Sequence, residues 1–186
     1  MKQSMKVVVV VVLAVLAAGS AFAANSLQSG SKSISVGMGD SIFSDTAVPQ
    51  VGFMFNNIVT INGKINFSKG LAMIAGFGVQ QDGGDANSMY IGLNAGVRKY
   101  LKTDDMAPFV EGKLAYANVS SKAGAVDLVK ESFLDLSVLL GVECFLAKQL
   151  SLEGSMGLGF GQIAADKVKD SYFGTRTTGV RANFYF

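Results

Sequence analysis

An alternation of period two dominates this chain from about Lys32 to the final residue. On a strand, successive side chains point to opposite faces, whereas on a helix the same pattern scatters round every side. Within residues 134–146, Leu134, Leu136, Val138, Leu140, Val142, Cys144 and Leu146 share one face, which carries no charge. Asp135, Ser137, Leu139, Gly141, Glu143 and Phe145 share the other. The division recurs in residues 150–160, 89–101, 110–119 and 178–186, and more weakly in 33–42, 58–67 and 71–80. No amphipathic-helix period competes with it. The expected fold is therefore all-β, with eight strands.

Each segment is roughly ten residues long, enough to span a bilayer when tilted. The connections alternate in size. Short turns fall at Ser68-Lys69-Gly70, 102–107 and 147–149, and longer polar links at 43–57, 81–88, 120–132 and 164–171. Short turns on one rim and long loops on the other predict an antiparallel up-and-down barrel, and an even strand count puts both termini at the short-turn rim. Gly96-Val97-Arg98, Gly141-Val142-Glu143 and Gly179-Val180-Arg181 form a weak repeat, with Asn62-Gly63-Lys64 a degenerate copy. Spacings near 40 residues also occur in propellers, but four blades would need about twice the strands available.

Alternation alone fits a soluble barrel, apolar inside, as well as a membrane barrel, apolar outside. The polar face decides between them. It is mostly Gly, Ser, Asn and Ala with a few single charges, and only 16% of all residues are charged, against about 25% in an ordinary soluble domain. That composition suits a narrow, crowded lumen. A transmembrane barrel is the expectation.

The amino terminus agrees with export. Lys2 and Lys6 precede an apolar run over 7–18, then Gly19-Ser20 and the small-x-small triplet Ala21-Phe22-Ala23. This reads as a cleaved signal peptide over 1–23, leaving a barrel domain over 24–186. The run is shorter than the roughly 17 to 25 residues of a membrane-crossing helix. Loss of both leader lysines leaves 14 basic residues against 14 acids. A neutral chain has no electrostatic basis for binding nucleic acid.

The ending Gly179-Val180-Arg181-Ala182-Asn183-Phe184-Tyr185-Phe186 resembles the assembly signal of Gram-negative outer-membrane barrels, with Phe184 and Phe186 as its aromatic positions. Gly96-Val97-Arg98-Lys99-Tyr100-Leu101, Pro108-Phe109-Val110-Glu111-Gly112, and Gly141 to Leu146 followed by Leu150-Ser151-Leu152-Glu153 resemble the small outer-membrane β-barrel domains of OmpA and OmpX type. Lys99 and Cys144 depart from that pattern, and both are expected on the outward face near the rim. The resemblance implies delivery by periplasmic chaperones, insertion by the barrel-assembly machinery, and residence in the outer membrane with both termini periplasmic. The barrel is expected to be a monomer.

Lys64, Arg98, Glu111, Lys113, Glu143, Glu153 and Arg181 all fall on the inward face, within a few residues of a short turn or the terminus. They should form one layer. An unpaired charge in so narrow a space costs several kcal/mol, so a hydrogen-bonded ion network is expected. Such a layer is either a plug that fixes the lumen or a gate on a small pore. Eight strands enclose a space that side chains largely fill, which favours the plug.

No enzyme, cofactor or metal site is expected. The chain has no histidine, which removes the commonest general base and metal ligand, and the outer-membrane hydrolases that the resemblance brings to mind need one. Asp104-Asp105 reads as a solvated turn, and Asp82-Gly83-Gly84-Asp85 has too few ligands for calcium. A structural or surface-interaction barrel is the leading expectation, its outer loops meeting lipopolysaccharide or other ligands; a narrow pore or small-solute transporter is the alternative. Phe53-Met54-Phe55 is either a contact patch or a strand extension. Lys122, Lys130, Lys167 and Lys169 either pair with lipopolysaccharide phosphates or form a solvated rim.

Overall fold

A sheet whose strands all carry one apolar face must protect its two edges, and this chain does so by closing on itself. The computed structural model describes residues 27–41, 59–82, 87–123, 126–165 and 168–186. They form β1 (Lys32–Ser41), β2 (Val59–Ser68), β3 (Leu71–Asp82), β4 (Asn87–Tyr100), β5 (Met106–Ala123), β6 (Val126–Ala147), β7 (Leu150–Ala165) and β8 (Val168–Tyr185). Each strand pairs antiparallel with its sequence neighbours in a closed barrel. The last strand seals the first, with Ser33 opposite Tyr185 and Gly37 opposite Arg181.

The alternation becomes an inside and an outside. On β6, Phe133, Asp135, Ser137, Leu139 and Glu143 are buried, while Leu134, Leu136, Val138, Leu140 and Leu146 are exposed. The exposed set continues round the wall through Ile61, Phe77, Leu93, Leu114 and Phe160. The barrel is thus apolar outside and polar within. The short turns Lys69-Gly70 and Lys148-Gln149 each span two residues, and Gly70 sits at φ +77, in the left-handed region that glycine enters without strain.

Strand length departs from the expectation. The links expected over 120–132 and 164–171 are largely strand: β5 and β6 pair out to Ala123 and Val126, and β7 and β8 out to Ala165 and Val168. β6 runs for 22 residues, about twice what a tilted crossing needs. Above the bilayer both faces of a strand can be polar, so the ladder continues where the period-two signal fades. The stretch Asn118-Val119-Ser120-Ser121-Lys122 shows this. The loop over 43–57, including Phe53-Met54-Phe55, lies outside the described residues, as does 83–86 within the expected link over 81–88.

Candidate functional site: an ionic lumen

Small side chains on the inward face leave the lumen's centre to a few long ones. Arg98 on β4 is fully buried and grips two acids. Its Nη2 donates to Glu111 Oε2 at 2.6 Å and to Glu153 Oε1 at 2.9 Å, and its Nη1 donates to Glu153 Oε2 at 2.6 Å. The guanidinium carbon lies 3.6 Å from the centre of the Phe109 ring. That geometry adds a cation–π attraction to the fork-like donors that let arginine bridge carboxylates.

Glu143 on β6 is the second hub. Lys64 Nζ donates to its Oε2 at 2.8 Å and Tyr100 donates to the same oxygen at 2.5 Å. Its Oε1 accepts from Tyr185 at 2.6 Å, from Ser151, and from Asn183 at 3.3 Å. The two hubs join: Lys64 lies 3.7 Å and Arg181 Nη1 3.4 Å from Glu153, and Arg98 Nη1 is 3.4 Å from Glu143. Three cations and three carboxylates therefore balance within one connected group. Charges buried this deeply are tolerable only when paired and hydrogen-bonded, and here neutral hydroxyls and an amide take up the remaining lone pairs.

Of the seven charged residues read from the sequence, the structure brings six into this group: Lys64, Arg98, Glu111, Glu143, Glu153 and Arg181. Lys113 is buried as well, but two positions beyond Glu111 on β5, opposite Ser137. Phe184, near the end of β8, and Phe186, just after it, lie beside β1. Phe186 is outward and 70% exposed, and its amide donates to the Lys32 carbonyl at 2.9 Å. Lys122, Lys130 and Lys169 stand exposed on β5, β6 and β8 rather than in loops; Lys167 lies outside the described residues.

Other parts of the site were not read from the sequence. Leu27, just before β1, is buried under the ionic layer against Ala72, Tyr100, Ala107, Phe109 and Tyr185, with Phe145 packed alongside. A turn holds it there: Gly30 N donates to the Asn66 carbonyl at 2.6 Å, and Gly30 adopts φ +88. Toward the long-loop end, Arg176 clamps Asp135, with Nη2 and Nε donating to Oδ2 at 2.8 and 2.9 Å. Tyr172 donates to the same oxygen at 3.2 Å. Beside this pair Tyr90, Ala115, Ala117, Val119 and Phe133 fill the lumen, with Ile163 and Tyr172 against them.

Arg176 was hidden by a bulge. Between the pairs Glu153–Arg181 and Met156–Thr177, β7 advances three residues and β8 four. The extra residue reverses which parity of β8 points inward, as bulges do. Counting back from Arg181 in twos would place Phe173 inside and Arg176 outside; instead Phe173 is 70% exposed and Arg176 4%. Glycines on β7 make the room. A Cβ on Gly159 would stand 2.9 Å from Arg176 Nε, and one on Gly161 would collide with the Tyr172 ring.

No family model and no curated protein matches the chain. Solved structures share its shape, two of them as follows. The N-terminal β-barrel domain of Pseudomonas aeruginosa OprF aligns at a TM-score of 0.50 and 11% identity, over 84% of this chain and 98% of that one. Neisserial surface protein A aligns at 0.51 and 13%, over 84% and 94%. The fold is that of a small outer-membrane barrel. The barrel's strand count, up-and-down order and apolar exterior all belong to that architecture.

Proposed function

We propose that the chain is an integral barrel of the bacterial outer membrane, closed along its axis, that acts as a scaffold for contacts made beyond the membrane rather than as a catalyst or a channel. The observation that carries this reading is the charge-balanced group of six around Arg98 and Glu143, which crosses the lumen with few polar atoms to spare. Below it the Leu27 floor, and above it the Asp135–Arg176 pair and the apolar cluster around Phe133, add two further closures. Membrane residence is supported by the belt of exposed Leu, Ile, Val, Met and Phe, far more contiguous apolar surface than a soluble monomer of this size exposes.

Both termini then lie on the periplasmic side, with the short turns. The long β5–β6 and β7–β8 hairpins stand on the outer side, where exposed Lys122, Lys130 and Lys169 sit at the height of lipopolysaccharide phosphates. Phe186 and Phe184 serve as the terminal aromatics that the barrel-assembly machinery reads after periplasmic chaperones deliver the chain, and the folded barrel works as a monomer. The test is conductance of the purified protein in a planar bilayer. Silence in the unmutated barrel fits a plug. Steady, long-lived current from the unmutated barrel would overturn the closed-lumen reading and favour a narrow pore.

A further inference from the structure

The barrel's outer wall is not evenly filled. Near the short-turn rim it carries a groove of about 850 Å³, within the roughly 300–1,000 Å³ range of small-molecule sites. The floor of the groove is a row of small residues that the strand register brings together. Gly63 faces Ala75, Ala75 faces Ala95, and Gly112 lies one step away, opposite Val97. A Cβ on Gly112 would meet nothing within 4 Å, and one on Gly63 only the Ala75 carbonyl oxygen at 4.0 Å. Exposed Ile65, Met73, Val97, Leu114 and Leu136 form the walls, and Phe186 stands at the rim end.

Charge is confined to one end. Lys32 lines the groove at the rim; Lys69, in the β2–β3 turn, and Lys99, opposite Leu71, are exposed on the same rim. Among the described residues no carboxylate is ion-paired with any of the three. An apolar trough whose exposed charged side chains are all cations at the headgroup level is complementary to an amphiphile with an anionic head. It is poorly suited to a second copy of the chain, because a two-fold axis along the membrane normal would set the same lysines against each other.

We propose that this groove holds an acyl chain of an anionic phospholipid of the leaflet at the short-turn rim, with its phosphate against Lys32, Lys69 and Lys99. The proposal rests on the outer-membrane reading above only for the presence of a bilayer. The chain contains no tryptophan, so a single introduced one is a clean reporter. Leu136→Trp places it on the groove wall, and Leu158→Trp on the exposed face of β7, away from the groove. Each variant is inserted into phosphatidylcholine vesicles in which an equal minority fraction is either phosphatidylglycerol or phosphatidylcholine brominated on its acyl chains. Taking the ratio of the two quenching constants at each reporter cancels depth.

The expected ratio exceeds one at the groove reporter, by up to about fivefold for each lysine that engages the headgroup, and is one at the β7 reporter. Adding Gly112→Leu fills the trough from a position with open space, and the ratio returns to one while the heat-sensitive gel mobility of the folded barrel is kept. Replacing Lys32, Lys69 and Lys99 by Gln removes the preference and leaves quenching by brominated phosphatidylcholine unchanged. Equal quenching by both lipids at the groove reporter, or a preference that survives Gly112→Leu, overturns the proposal. So does displacement of brominated phosphatidylglycerol by lipid A but not by unlabelled phosphatidylglycerol. A chain that fails to insert shows no quenching at either reporter by either lipid, and that outcome overturns the membrane reading itself.

Discussion

Arg98→Ala should be the most damaging single change in the lumen, and the hydrogen bonds say why. Among the described residues Glu111 bonds only to Arg98, through Nη2 at 2.6 Å and Nε at 2.9 Å. Removing the guanidinium strands a carboxylate that is 1% exposed. Glu153 is less affected, since it keeps Lys64 at 3.7 Å, Arg181 at 3.4 Å and Asn183 at 3.1 Å. Stranding one partner of a buried pair costs about 3–5 kcal/mol. Urea titration in detergent micelles, read by the difference in gel mobility between boiled and unboiled samples, measures it. With a slope of about 2 kcal/mol per molar, the midpoint should fall by roughly 2 M. Glu111→Ala in the same background should restore part of the loss, because it removes the stranded charge, giving a coupling energy of about 2 kcal/mol in the double-mutant cycle. A midpoint within about 0.3 M of the parent, or strictly additive effects of the two changes, would refute the reasoning.

Three further outcomes follow from the geometry. Arg176→Ala should destabilise by about 3 kcal/mol, because Asp135 is left with Tyr172 alone among the partners described, whereas Phe173→Ala, on the outward parity, should change the urea midpoint little; equal effects would mean that β8 has no bulge. Leu27→Asp should open the floor, costing several kcal/mol by placing a charge among Phe109, Tyr100 and Tyr185; an unchanged midpoint would show that Leu27 does not occupy that site. Phe186→Ala keeps the backbone bonds to Lys32 and removes only the ring, so a drop in folded outer-membrane protein as large as that on deleting residue 186 assigns the assembly signal to the aromatic; parental levels in Phe186→Ala would assign it to the strand-closing bonds.

How much of this was legible in the chain depends on where lipid enforces a rule. Within the bilayer, the outward face of a strand must be apolar, so the eight segments and the inward set from Lys64 to Arg181 stand out as every second residue. The six members of the ionic group come from six strands, one each from β2, β4, β5, β6, β7 and β8. They are recognisable together because each lies near a short turn or the terminus. Their individual pairings were not legible. Whether Arg98 meets Glu111, Glu143 or Glu153 depends on strand tilt and stagger, which period-two counting does not report.

The same dependence explains what was missed. Above the bilayer the outward face is free to be polar, and Lys130-Glu131-Ser132 gives no sign of the β6 strand that runs through it. Leu27 precedes the first alternating segment, so periodicity has no hold on it; its burial depends on a turn whose bonds run to Asn66, far along the chain. The β8 bulge is the instructive case. A slip of one residue turns every later side chain to the other face, and the chain tolerates it because Phe173 gains a lipid-facing position while Arg176 gains Asp135. Tyr172 and Gly174 then fall inward opposite Gly161 and Gly159, so the glycines of β7 and the reversed parity of β8 are two halves of one packing solution. Read alone, alternating Gly157, Gly159 and Gly161 look only like a thin stretch of wall. They leave the volume into which the shifted half of β8 places its arginine and tyrosine.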